Sequence, residues 1–594
     1  MIRPVSAVAS STWGQSILRW WQPAAAILVA LVAVTAHLTV AITAKQPVYW
    51  EDEAGYLLNA QVISGYGKIP SLQGLSYYPG WSLFLVPLWW IFRNPDTVYH
   101  AATILSALFG IALGVPLAMI ARRFGITWPQ AVIAAGVVVL GPGRVLMSNF
   151  ALSENCLAFF FALACWFALR YASSPTWGRA VVFGIAAGYT FVIHGRAVPV
   201  VIATGIWFIW RIIRDRNRWP GIAGLVSLGV IVGSGELLYR WSSSLIAQST
   251  RRESVGISKL FGSNPLGVVF AGSGQVWFQV AASLGLVAFG LVAIAILVRR
   301  EVLAKSPAVA FWVSIALLGV AAISFTYVSQ GVSILKGRLD IYVYGRYLDP
   351  FLAVVTLAGA VLILKILSRR LAIWMAVSVG AFAVIYTLIG RAIIPNISNG
   401  GWWAPLNVLG LLQWNWPGSH GSNSIPLAWP TLALLVALVV IVLLRKWPTV
   451  ILLLFAVFLA FSSVVAEKDT LRPFAATFYN AFSLRHVVEK YDKQYTVTFD
   501  TNGLDNVVPA ADTVSRNAYQ YWLVPDSPEV FDSSKTAPTS ELVISRPNWP
   551  YADKYGARLI AVDTGFKNAL WVLPGKLQDK LAESGKLLPQ PAGG

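Results

Sequence analysis

Long, almost unbroken apolar runs recur along the chain, at Ala24–Ala44, Pro350–Leu364, Pro430–Leu444 and Val450–Val465. Runs of about 17–25 apolar residues match the hydrocarbon thickness of a bilayer. Lipid offers no partner to a bare peptide N–H or C=O, so such runs must close their hydrogen bonds internally, as helices. Only 12% of the residues are charged and 57% are hydrophobic, whereas a soluble domain carries about 25% charge. A soluble globule and a disordered chain are both excluded. The sequence predicts a polytopic α-helical membrane protein.

Charge divides the chain in two. Residues 1–465 hold 31 Lys and Arg against 11 Asp and Glu, whereas residues 466–594 hold 14 against 15. The first part is read as the membrane domain and the second as a small soluble domain, long enough for its own core. In the tail, strand-like runs at Tyr495–Phe499, Tyr521–Val524, Glu541–Ser545, Arg558–Val562 and Leu570–Leu573 predict an α/β unit. The basic residues cluster between apolar spans, at Arg122-Arg123, Arg170 to Arg179, Arg211 to Arg218, Arg299 to Lys305, Arg369-Arg370 and Arg445-Lys446. Placing these clusters inside by the positive-inside rule gives about 13 spans. They fall near 24–44, 97–121, 129–147, 155–171, 180–193, 198–213, 221–239, 277–298, 307–329, 348–367, 371–390, 427–444 and 448–465. The N-terminus is then cytoplasmic in a cell membrane and the tail extracytoplasmic. The basic excess is thereby explained without nucleic acid.

The first outer loop, 45–96, is long. Asp52–Ser64 has helical spacing suited to a membrane-surface helix, and Gly80–Phe92 is apolar but too short to span. Cys156 and Cys165, nine residues apart on one helix, face opposite ways and predict no disulfide. Met1–Gln22 is polar and Trp-rich, unlike a cleavable leader.

Scarce acids make the surviving ones informative. Glu51-Asp52-Glu53 stand together at the outer mouth of the first span. Mutual repulsion at a low-dielectric interface raises a carboxyl toward neutrality, which suits a general base. A helix start with Asp52 as cap and Glu53 favoured by the dipole fits the same residues. Glu154, in Ser153-Glu154-Asn155, reads as a capped helix start or as a second site acid on the same face. Lys336, Arg338 and Arg346 put positive charge on the outer side, against the topological bias. An anionic phosphate would use it, and so would lipid headgroups or a pairing of Arg338 with Asp340. His194-Gly195-Arg196 lies on that face too. No Walker, HExxH or GxSxG motif occurs. Metal involvement stays open, with Mg²⁺ or Mn²⁺ near Asp52 or Glu154 as the form it would take.

Three of these segments together resemble the GT-C glycosyltransferases, in particular the branch of protein O-mannosyltransferases and lipid A aminoarabinose transferases. They are Tyr49-Trp50-Glu51-Asp52-Glu53-Ala54-Gly55-Tyr56, Glu154 at the start of the fourth span, and Arg346-Tyr347-Leu348-Asp349-Pro350. The likeness covers roughly the first 365 residues. It implies a polyprenyl-phosphate sugar donor, extracytoplasmic chemistry and a hydroxyl acceptor on a glycan, lipid or protein. It also implies Asp52, Glu53 and Glu154 as catalytic residues, and Arg346, Arg338, Lys336 and Arg196 as donor-phosphate ligands. Tyr56, Lys68, Tyr77, Tyr78, Trp81, Tyr347 and His194 are then candidate substrate contacts. The aminoarabinose transferases carry Glu-Lys-Pro-Pro where this chain has Tyr77-Tyr78-Pro79-Gly80, so their metal- and phosphate-handling pair lacks its usual residues here. The Tyr-Tyr-Pro-Gly version, the many Trp and the tail are similar to actinobacterial cell-envelope members with arabinofuranosyl or mannosyl donors. Two rival readings are a lipid-linked sugar flippase and a scaffold; the first predicts internal repeats, and none is visible.

Overall fold

The computed structural model describes residues 12–66, 74–246, 249–251, 264–306, 308–334, 338–365, 367–394, 402–414, 416, 423–492, 494–502, 511–524, 527–563 and 565–589. The first half runs through α1 (Thr12–Thr43), α2 (Trp50–Ser64), strand β1 (Gly74–Ser76), α3 (Ser82–Phe92), α4 (Pro95–Ala112), α5 (Gly114–Arg123), α6 (Trp128–Val139) and α7 (Pro142–Met147). It continues with α8 (Glu154–Ser173), α9 (Trp177–Ile193), α10 (Val198–Arg214), α11 (Trp219–Leu245) and β2 (Ser249–Arg251). Then come α12 (Pro265–Ala282), α13 (Leu286–Leu303), α14 (Val309–Ile334), α15 (Asp349–Lys365), α16 (Arg369–Ile393), α17 (Ala428–Leu443) and α18 (Pro448–Ala466). Local chemistry sets the ends. Asn94 caps α4 through Thr97 N at 3.0 Å with Pro95 next, and Thr127 with Gln130 forms a capping box on α6. Both devices satisfy otherwise orphaned N–H groups.

Among the described residues, eight helices are long and apolar enough to cross a membrane: Trp20–Thr43, Pro95–Arg123, Glu154–Ser173, Gly195–Arg214, Trp219–Leu245, Val309–Gln330, Arg369–Ile393 and Pro448–Tyr479. The body is therefore a polytopic helical membrane protein. The other expected spans fall on shorter or bent elements. The run near 277–298 straddles α12 and α13, which meet at 106°. Leu284 (φ 53°) and Gly285 (φ 87°) are both left-handed there, a conformation that ends a helix. Apolarity continues unbroken across the bend, so hydropathy passes over it. The run near 129–147 stops at Val139, where Gly141-Pro142 redirects the chain into α7.

Helix α2 departs from the expected membrane-surface helix. Every residue from Glu53 to Gln61 is buried, because α3 and β1 pack on one side and a tail helix on another. Loop 45–96 is also tied to neighbouring segments. β1 pairs in parallel with β2, Gly80 N donates to Val192 O at 2.7 Å, and Tyr189 OH donates to Gly80 O at 2.9 Å.

Beyond the membrane body, α18 passes through a π-turn at Glu467–Leu471 straight into α19 (Arg472–Ala481). The expected junction at 465/466 thus lies inside one helical run. After α20 (Arg485–Asp492) come β3 (Val497–Asp500), α21 (Ala511–Trp522), β4 (Glu529–Phe531), β5 (Leu542–Ser545), β6 (Arg558–Val562), β7 (Ala569–Val572) and α22 (Lys576–Glu583). The five strands form one mixed sheet in the order β4-β3-β5-β7-β6, with β7 antiparallel to both neighbours. The expected strand at Tyr521–Val524 begins instead as the end of α21, whose Tyr519, with Leu523 just beyond the helix, fills the core against Phe499 and Ile544. The tail docks through Trp50, whose ring lies 4.9 Å from Trp522 and 5.8 Å from Tyr521. Arg485 adds a 2.6 Å bond to Asp96.

A Cβ at Gly80 would sit 2.5 Å from the backbone of Val192 and Ile193, where nothing can yield. Gly80→Ala is expected to cost about 1–3 kcal/mol, as overpacking does. Thermal unfolding of the purified protein in detergent measures it.

Candidate active site

The site begins with how the chain turns into α2. Glu53 folds back on its own helix start, where Oε1 accepts Val48 N at 2.9 Å and Tyr49 N at 3.0 Å. Oε2 accepts Tyr99 OH at 3.0 Å and Ala151 N at 2.9 Å. Glu53 therefore clamps the α2 start to the segment leading into α8. It is fully buried, and burial pushes its carboxyl up to about 7 against the opposing pull of those hydrogen bonds. The expected cause, repulsion among three neighbouring acids, is replaced by desolvation. Glu53, expected as a catalytic residue, has both carboxylate oxygens engaged by backbone N–H groups and by Tyr99 OH, the geometry of a brace. Asp52 is not the cap, since Tyr49 holds that position.

Asp52, one residue before the brace, projects into a chain of charges. Its Oδ1 accepts Tyr77 OH at 2.6 Å and its Oδ2 accepts Arg346 Nη1 at 2.5 Å. Arg346 Nε donates to Glu154 Oε1 at 2.7 Å, and Arg196 Nη2 donates to the same oxygen at 3.0 Å. The Arg196 guanidinium lies 4.8 Å over the Tyr347 ring. Two carboxylates and two guanidinium groups thus form one balanced network. Side-chain exposure is only 20% for Asp52, 9% for Arg346 and 5% for Glu154. Glu154 Oε2 and Arg196 Nε and Nη1 are buried with no hydrogen-bond partner among the described residues. Each such group costs about 1–3 kcal/mol unless something binds it, so the arrangement is suited to a polar ligand. Gly55 makes the Asp52 contact feasible, because a Cβ there would overlap the Tyr77 ring at 2.0 Å.

Behind this network lies a small cavity lined by Arg144, Glu154, Asn155, Arg346, Asp349 and Asn407 among others. A second small cavity shares Gly143, Arg144, Asp349 and Gly410 with it and runs on to Val137, Leu286 and Leu459.

The remaining candidates separate. Arg338 is held by Asp340 at 3.0 Å and lies 4.9 Å over Trp402, so its guanidinium is committed there. Lys336 and Lys68 lie outside the described residues. Tyr56 OH bonds Ser153 Oγ at 2.8 Å, beside Glu154. Tyr78 stacks on Tyr239 at 4.6 Å, and His194 Nδ1 accepts Arg196 N at 3.2 Å. Trp81, expected as a substrate contact, is fully buried, with Nε1 donating to Ala151 O at 3.0 Å. Sequence reasoning missed Arg144, although an arginine at the outer end of an apolar run carries the same signal that singled out Arg346. A carboxylate-held Mg²⁺ or Mn²⁺ does not fit, because a guanidinium already bridges Asp52 and Glu154. Among the described residues no group of three or more His, Cys, Asp or Glu converges to hold a metal.

Because the fold raises the Glu53 carboxyl from 4.5 to about 7, folding favours its protonated form. Its contribution is full below pH 4.5 and is lost as pH rises through 7. Wild type should therefore lose thermal stability relative to Glu53→Gln between pH 5 and pH 8. Melting curves across that range test this, and parallel pH dependence would refute it.

Residues 72–229 match the family described as dolichyl-phosphate-mannose-protein mannosyltransferase. No curated protein sequence matches the chain. Among solved structures, ArnT from Cupriavidus metallidurans in the apo state aligns at 17% identity and a TM-score of 0.50, covering 95% of this chain and 98% of ArnT. The same protein bound to undecaprenyl phosphate aligns at 16% and 0.49, covering 93% and 98%. The arabinosyltransferase EmbB from Mycobacterium smegmatis aligns at 13% and 0.40, covering 78% of this chain and 42% of EmbB. A helical membrane body with a small sheet domain, superposed along nearly all of both chains on apo ArnT, gives the conclusion: this chain has the GT-C fold.

Proposed function

We propose that the chain is a membrane glycosyltransferase. It moves a sugar from a polyprenyl-phosphate donor to a hydroxyl of a glycan, lipid or protein acceptor, on the extracytoplasmic face of the cell membrane. The observation that carries this reading is the Asp52–Arg346–Glu154 network, drawn from three distant segments into one buried place beside a cavity. The match of residues 72–229 to a family of lipid-phosphate-sugar enzymes supports it.

In this mechanism Asp52 takes the proton of the acceptor hydroxyl while its oxygen attacks the anomeric carbon. The bond from that carbon to the phosphate oxygen breaks on the opposite face, so configuration inverts. The donor is a phosphodiester with one negative charge. The departing monoester has a second pKa of about 6 and leaves carrying close to two. Protonation neutralises Asp52, and the Arg346 charge it had balanced then faces the growing phosphate charge. Glu154 keeps Arg346 and Arg196 in place throughout. The aromatic side chains Tyr77 and Tyr347 offer flat faces to the sugar, with an arabinofuranosyl or mannosyl group as the proposed cargo.

General base catalysis is typically worth 10²–10⁴-fold. Asp52→Asn should therefore lower transfer by about 100-fold or more per folded protein, with some loss of thermal stability because one carboxylate leaves the network. The assay supplies polyprenyl-phosphate sugars with an acceptor panel and measures released polyprenyl phosphate. Undiminished turnover in that variant would remove Asp52 from the role, and sugar-lipid translocation without release would favour a flippase instead.

A further inference from the structure

Arg144 borders both cavities together with its partner Asp349, and has no part in the network above. It sits in α7, 6% exposed. Its Nη1 donates to Asp349 Oδ2 at 3.0 Å and its Nη2 to Asp349 O at 3.0 Å. Asp349 opens the helix α15, and its side chain is 30% exposed, so a buried arginine is held by a carboxylate that still meets open space. The first cavity has Arg346, Glu154 and Asn407 in its walls beside Met147, Phe278 and Leu409. The second adds Gln279, Ser283 and Thr356 together with Val137, Leu286 and Leu459. Three glycines, Gly143, Gly345 and Gly410, bring bare backbone to these walls.

Two arginines in the wall of one cavity, one of them held by a partly exposed carboxylate, have the chemistry of a phosphate site. We infer that Arg144 is a second phosphate-binding arginine opposite Arg346, and that Asp349 holds it in reserve and competes with the phosphate for it. The inference rests on the glycosyltransferase reading and deepens it by adding a residue to donor recognition. The phosphate lies in the first cavity, which both arginines line. The departing phosphomonoester presents more acceptor oxygens and more charge than the Asp349 carboxylate, so it can displace that partner. As the leaving group gains charge, Arg144 becomes the second cation facing it.

Asp349 gives the test its sign. A purely structural ion pair weakens from either end, whereas a competitor and its target respond in opposite directions. Binding of decaprenyl phosphate to the full-length protein in detergent is measured for wild type, Arg144→Gln, Arg144→Lys and Asp349→Asn, with uncharged decaprenol as the control ligand. Arg144→Gln should weaken decaprenyl phosphate binding about tenfold, as expected for a lost charge-assisted bond. Arg144→Lys should restore part of that loss, Asp349→Asn should tighten binding, and decaprenol should not respond. Equal weakening by Arg144→Gln and Asp349→Asn, or wild-type affinity in Arg144→Gln, overturns the assignment and leaves the transferase reading standing. If Arg144→Gln does not fold, Asp349→Asn decides alone: tighter binding supports the inference and weaker binding overturns it. A wild-type protein that binds no polyprenyl phosphate overturns both.

Discussion

One guanidinium organises the site. Arg346 reaches Asp52 with one nitrogen and Glu154 with another, and neither acid would be tolerable at that burial without it. Breaking a buried ion pair from one side costs about 3–5 kcal/mol, because the orphaned charge stays behind. Arg346 itself is placed by its backbone: Gly345 N donates to Asn407 O at 2.9 Å and Gly345 O accepts Gln279 Nε2 at 2.8 Å. A Cβ on Gly345 would meet the Phe278 ring at 2.0 Å. The charge network therefore requires close approach of the chain to α12, and that approach requires glycine.

The acids are positioned with the same economy. Asp52 and Glu154 lie on helices that start from different loops, and the Glu53 brace ties those loops together through Ala151 N. Adjacent carboxylates in one sequence motif thus take opposite parts. Glu53 turns inward and is spent on backbone N–H groups, leaving Asp52 to turn toward arginine and Tyr77. The direction of each side chain follows from helical geometry, since neighbouring residues on a helix point about 100° apart.

Much of this was legible from residue types. Apolar runs required membrane helices, and rare acids at Asp52 and Glu154 with an outer-face Arg346 pointed to one shared place, which the structure shows as a hydrogen-bonded network. Hydropathy does not register backbone conformation, so the 106° bend at Leu284-Gly285 and the turn at Gly141-Pro142 were absorbed into straight spans. Periodicity cannot say what covers a helix, so α2 read as a surface element although the tail buries it. Tyr521–Val524 looked like a strand because an aromatic, β-prone run is also what a helix uses to fill a core. Pairings such as Arg338 with Asp340 were visible as one option among several. Only three-dimensional packing selected it, because Asp340 is fully buried and also held by Asn407 at 2.6 Å.

The contact of the tail with Trp50 has a consequence for how the two parts of the chain depend on each other. Trp50 stands two positions before Asp52 in the same helical turn, and its indole is walled in by Phe482, Tyr521 and Trp522. The roof over this end of α2 is thus supplied from more than 400 residues downstream. A force that lifted the sheet domain would be delivered, through one indole, to the carboxylate beside it.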